Sequence, residues 1–130
     1  MQFVYMLYFS FQKLEIYQIS KKLVKDIYKL SNSFPSDEKY ALVQQINRAA
    51  VSIASNIAEG TSRNGRQEKI HFINISYSAL MEVVCQTEIA FELGYLTKDA
   101  FENISKKAKK LAVKISNYIL TNLNYISTTF

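Results

Sequence analysis

One cysteine, one histidine, one proline, three glycines and no tryptophan stand in a chain of 130 residues. A single thiol, Cys85, excludes an intramolecular disulfide and a thiolate metal site. It suits a reducing compartment. A single imidazole, His71, excludes a paired-histidine metal site and any relay through a second histidine. Glu82, Glu88 and Glu92 do not amount to a di-iron site either, because that site needs two Glu-x-x-His pairs on facing helices. The scarcity of Gly and Pro argues against many short strands separated by turns. No apolar run is long enough to span a bilayer. Met1 to Phe9 are apolar and uncharged, without the basic start and small-residue cleavage site of a secretory signal. They are read as a non-secretory extension, pinned to an apolar groove or arising from start-codon choice, with Met6 as a second start. The expectation is a cytoplasmic protein with no membrane span, no cofactor and no small-molecule substrate.

What is present is helical periodicity. Residues 14–30 place Ile16, Ile19, Leu23, Ile27 and Leu30 on one stripe, ending at Phe34 and Pro35, where proline cannot continue a helix. A second segment is expected from Ser36 as N-cap, with Asp37 and Glu38 in its first turn. Its stripe is Val43, Ile46, Ala50, Ile53 and Ile57, and Gly60 is expected to close it in a left-handed conformation. The third, residues 67–93, carries Ile70, Ile73, Tyr77, Leu80, Val84, Thr87 and Phe91, plus a second apolar row of Phe72, Ile75, Ala79 and Val83. Two rows imply burial on two sides. Gly94 ends it and Thr97 caps the fourth, with Phe101, Ile104, Ala108, Leu111, Ile115 and Tyr118 facing inward. The fold class is all-α: an antiparallel up-down-up-down four-helix bundle, residues 11–124, between an apolar extension (1–10) and a fraying tail (125–130).

Charge is uneven. The chain carries a net +5 with a pI near 9.3. The first segment holds five lysines against Glu15 and Asp26, and the fourth six against Asp99 and Glu102. The third has Lys69 against Glu68, Glu82, Glu88 and Glu92. First and last helices of such a bundle are neighbours, so the basic helices should lie side by side. Lys21, Lys25, Lys106, Lys107, Lys109, Lys110 and Lys114, with Arg63 and Arg66 of the mid-chain loop, are the candidate nucleic-acid contacts. They would hold phosphates without reading sequence. An ordinary solvated face and an ordinary turn are the plainer readings of the same residues.

On the second helix Gln45, Arg48, Ser52, Ser55, Asn56 and Glu59 fall within roughly 100° of arc opposite the apolar stripe. Three readings fit this small, hydrogen-bonding face: a seam inside the monomer, a subunit interface, or a groove that contacts a ligand or RNA. With Phe72, Ile75 and Ala79 of the third helix, these six are the candidate oligomer interface. Cys85 reads as a small core or interface residue and His71 as a surface side chain. No nucleophile, base and orienting group stand at related positions, so catalysis is not expected.

The order of landmarks is also informative. Phe11-Gln12-Lys13-Leu14-Glu15-Ile16-Tyr17-Gln18 is followed by Phe34-Pro35 and Glu38-Lys39-Tyr40-Ala41-Leu42. Then come Gln45-Ile46-Asn47-Arg48-Ala49-Ala50-Val51-Ser52-Ile53-Ala54-Ser55-Asn56-Ile57-Ala58-Glu59-Gly60, Ser78-Ala79-Leu80-Met81-Glu82 and Glu92-Leu93-Gly94-Tyr95-Leu96. Residues 11–123 thereby resemble the bacterial four-helix-bundle proteins encoded in intervening sequences of large-subunit ribosomal RNA genes. The run from Ser52 to Gly60 is the most specific element. The family often has Pro where Ala54 stands and Trp where Tyr17 stands. The resemblance implies ring-forming homo-oligomers, pentamers among them, with a basic surface. A related set, the accessory proteins of diversity-generating retroelements, binds a reverse transcriptase and nucleic acid. The expected role is a homo-oligomeric adaptor associated with RNA or another nucleic acid; a protein-binding scaffold is the alternative.

Overall fold

A computed structural model describes residues 9–123. The expectations for residues 1–8 and 124–130 lie outside it. Four helices follow in order: α1 (Glu15–Ser31), α2 (Leu42–Thr61), α3 (Arg66–Glu92) and α4 (Lys98–Asn122), with 3-10 turns at Ser10–Lys13 and Ser36–Glu38. Each helix packs on the next and α4 packs on α1, which closes the bundle as expected of the up-down-up-down order. Among the described residues there is no strand.

The periods place the core well. Ile16, Leu23 and Ile27 of α1, Ile46, Ala50, Ile53 and Ile57 of α2, and Ile104, Ala108, Leu111 and Ile115 of α4 are all buried. The α1–α2 corner stops at Pro35 as expected, and Phe34 folds back into the core with its ring 5.6 Å from that of Tyr95. Gly94 takes φ +82°, and the amide of Tyr95 reaches the carbonyl of Ala90 at 2.9 Å. This left-handed C-terminal arrangement is open to glycine at little cost. Thr97 Oγ1 then accepts the amide of Ala100 at 3.1 Å, the expected N-cap.

Three expectations need correction. Ser36 does not cap α2. Ser36–Glu38 forms a separate 3-10 turn, and α2 starts at Leu42 after a break at Ala41 (φ −123°, ψ −100°). Glu38 serves the helix start instead: its Oε1 accepts the Leu42 amide at 3.4 Å while its Oε2 accepts the Tyr95 hydroxyl at 2.7 Å. Gly60 is not a left-handed terminator but lies within α2. A Cβ there would stand 2.9 Å from Phe72 Cβ and 3.2 Å from the Lys69 carbonyl, so glycine is needed for α2 and α3 to approach.

The third correction concerns α3. Its buried positions are Ile73, Ser76, Ala79, Leu80, Val83, Thr87 and Ala90. The core therefore draws from both apolar rows and from two polar residues, while Val84 is 40 % exposed. Both hydroxyls are satisfied, which removes most of their burial cost. Ser76 Oγ donates to the Ile53 carbonyl at 2.7 Å and Thr87 Oγ1 to that of Val83 at 2.7 Å.

Candidate nucleic-acid interface

The two basic helices do lie side by side. Lys107 Nζ meets Asp26 Oδ2 at 2.8 Å and Lys114 Nζ meets Glu15 Oε1 at 3.1 Å. Between these helices runs a groove of about 400 Å³ with Ile19 and Leu23 among its lining residues. Lys22, Lys25 and Lys29 line it from α1, and Lys107 and Lys110 from α4, with Asp26 as the one acid.

The candidate lysines do not all share this surface. Helical rotation of 100° per residue spreads a crowded lysine row over several faces. Lys109 turns to the α3–α4 groove, beside Tyr77, Met81 and Val84. Lys106 is exposed. Lys21 lies 5.0 Å above the Tyr17 ring and lines the α1–α2 groove, which Lys25 also touches. Lys22 and Lys29 were not among the candidates, although the spacing 22, 25, 29 puts them on one face with Lys25.

Arg63 and Arg66 are brought to a different place. Arg63 pairs with Glu59 at 3.0 Å, and its guanidinium stands 4.9 Å from the centre of the Phe72 ring. Arg66 Nε donates to the carbonyl of Leu123, stitching the start of α3 to the end of α4. Lys69 Nζ donates to the Thr61 carbonyl at 3.0 Å, a cation where the helix end is negative. The Arg63 and Lys69 contacts brace the α2–α3 turn, and neither arginine lines the lysine groove.

The polar face of α2 divides in two. Gln45, Arg48 and Ser52 line a shallow depression of about 360 Å³ with Ala79, Glu82 and Gln86 of α3. Ser55 and Glu59 turn toward α1 and line a groove of about 620 Å³ with Phe11, Tyr17, Val24 and Val51. Asn56 Nδ2 donates to both the carbonyl and the hydroxyl of Ser52 at 2.9 Å, and Ser55 Oγ reaches the same carbonyl at 3.4 Å. These bonds run along α2. Close contacts between α2 and α3 inside the monomer include Gly60 against Phe72 and Ile53 against Ser76. Of the α3 candidates, Ile75 is exposed and Phe72 half-buried beneath Arg63. Ala79 is 4 % exposed and belongs to the core; a small side chain at the α2–α3 contact is enclosed by its own monomer.

His71 and Cys85 are exposed. No group of three or more His, Cys, Asp and Glu among the described residues could hold a metal. No described helix is long and apolar enough to cross a membrane. Two phenols are perturbed, and neither lines the lysine groove. The hydrogen bond to Glu38 holds Tyr95 above its usual value of 10.0, and burial raises Tyr118.

Fold and surface together define a helical bundle whose described residues carry a lysine-lined groove between the first and last helices. The chain belongs to the 23S rRNA-intervening sequence protein family, whose model matches residues 12–117. No curated protein matches it. Among solved structures it is similar to a protein of unknown function from the S23 ribosomal protein family of Bacteroides thetaiotaomicron, at 22 % identity and TM-score 0.76. That likeness covers 82 % of this chain and 99 % of the other, and it shows the shared fold. Neither description names a catalytic activity.

Proposed function

We propose that this protein is a non-catalytic, homo-oligomeric bundle that works in the cytoplasm and associates with RNA through the surface of α1 and α4. The observation that carries the reading is the groove with five lysines and one aspartate. The family's description, tied to 23S rRNA, directs the choice of polyanion toward RNA. Replacing Lys22, Lys25, Lys29 and Lys110 with Glu is expected to abolish retention of RNA at low salt and leave the oligomer intact. RNA retention that survives this change, or a protein that retains none at low salt, removes the proposal.

Self-association is the second part of the reading, and a pentamer is the form the family resemblance suggests. Its support is the apolar surface that α3 and the residue that follows it keep outside the monomer core, with Met81, Val84, Ile89 and Leu93 exposed. Light scattering at micromolar concentration tests it, and a 15.0 kDa particle would refute it.

A protein-binding scaffold is favoured by one different observation. The α3–α4 groove, about 480 Å³, is lined by Tyr77, Met81, Val84, Ala108, Ala112 and Val113. Co-purification of one defined protein, insensitive to nuclease, would replace the RNA reading with this one.

A further inference from the structure

We infer that the α1–α4 groove takes the phosphate backbone of a double-helical RNA and reads none of its bases. The inference rests on the RNA reading above and specifies the form of RNA that the groove accepts.

The first argument is charge density. Lys22 and Lys29 are seven residues apart, about 10.5 Å along the helix. Over that length, at the charge spacing of double-stranded DNA, one strand of a double helix offers about three phosphates and both strands about six, at roughly 3.4 Å and 1.7 Å per charge. With Lys107 paired to Asp26, four lysines on two facing helices remain for phosphate, more than one strand offers over that length. They suit a duplex.

The second argument is chemistry. Proteins that hold single strands stack bases on aromatic side chains, worth about 1–3 kcal/mol per base. The residues lining this groove are isoleucine, leucine, lysine and aspartate, with no ring among them. The exposed Tyr28 of α1 lies about 120° around the helix from Lys22. The lining also has no Asn, Gln or Arg, the side chains that most often read base edges. Lysine ammonium groups are point charges that bind phosphate without demanding one geometry. Such a surface fits a polymer whose bases are already paired and turned inward.

The third argument is the placement of Asp26. It holds Lys107 at 2.8 Å inside the groove, so it withholds one cation and adds one anion. Removing its charge should strengthen binding.

The test is fluorescence anisotropy on the full-length protein with an RNA duplex of roughly 16 base pairs, a length known to suit duplex-RNA modules. Each separated strand, a shuffled duplex and the matching DNA duplex are measured beside it. The expected result is at least tenfold tighter binding of RNA duplex than of either strand, with the shuffled duplex unchanged. The logarithm of affinity should fall with the logarithm of salt with a slope of about −4, a loss on the order of 10²-fold between about 50 and 200 mM. The triple variant Lys22→Gln, Lys25→Gln, Lys110→Gln should reduce the magnitude of that slope by about 3. Asp26→Asn should tighten binding several-fold. Equal or tighter binding of the single strands overturns the inference while the RNA association stands. So does tighter binding of the DNA duplex, or a slope that the triple variant leaves unchanged. If neither form of RNA binds at about 50 mM salt, the association itself is refuted.

Discussion

Two glycines set the finest constraints, and for opposite reasons. At Gly60 a methyl group would meet Phe72 Cβ at 2.9 Å, an atom tied to the α3 backbone that cannot swing away. Overpacking costs about 1–3 kcal/mol, while alanine regains about 1 kcal/mol of helix propensity. Gly60→Ala is therefore expected to lower stability by about 1 kcal/mol net, read as a lower denaturant midpoint at unchanged slope. At Gly94 nothing lies within 4 Å, but φ is +82°. Gly94→Ala should cost about 1–2 kcal/mol through the backbone alone. Tyr95 supplies a pH signature. Glu38 accepts its O–H, so the phenol's folded value lies above 10.0. The contribution of this bond is complete below the ordinary tyrosine value and is lost as pH rises through the raised one. Phenolate absorbance should show Tyr95 and Tyr118 titrating late, and Glu38→Gln should return only Tyr95 toward the ordinary value.

The elements were legible wherever apolar spacing alone decided burial. The stripes of α1, α2 and α4 read directly, and Pro35, Gly94 and Thr97 punctuated them at the right places. On α3 the pattern misled in part: Thr87 fell on the expected stripe, but Ser76 is a polar letter at a core position and Val84 is an apolar letter in solvent. Only the partner carbonyls, Ile53 and Val83, make those hydroxyls comfortable indoors, and a pattern of letters does not contain them. Gly60 was visible as a glycine, but the neighbour that demands it was not. The α2 start was missed because Ser36 and Glu38 carry every N-cap signal while the chain makes one more turn before the helix. The lysines were visible, and the pairing of α1 with α4 followed from topology. Which lysines share the groove depends on helix rotation, and this dropped Lys22 and Lys29 from view. At this scale Ala50→Glu is the decisive variant. Ala50 is fully enclosed among α2's core residues, and an unpaired buried carboxylate costs several kcal/mol. Against a total stability of about 5–15 kcal/mol, loss of the helical far-ultraviolet signal is expected.

For the whole molecule, the salt bridges between α1 and α4 are part-exposed and contribute little to holding the bundle together. Exposed pairs are worth about 0–1 kcal/mol each. Moving from low to high salt should shift the thermal midpoint only slightly, and a large fall would show that surface ion pairs do more than the core. Ser52 lines a surface depression and bonds only along its own helix in the contacts described above. Ser52→Glu should accordingly leave the monomer folded and, if this face joins subunits, reduce the mass seen by light scattering. A melted fold would instead assign Ser52 to the interior.

The separation of lysines on α1 and α4 from Glu82, Glu88 and Glu92 on α3 gives the molecule an electrical front and back. A long polyanion would turn such a body in solution before any atoms touched, so productive collisions would outnumber random ones. That advantage belongs to the rate of arrival and fades as counter-ions thicken.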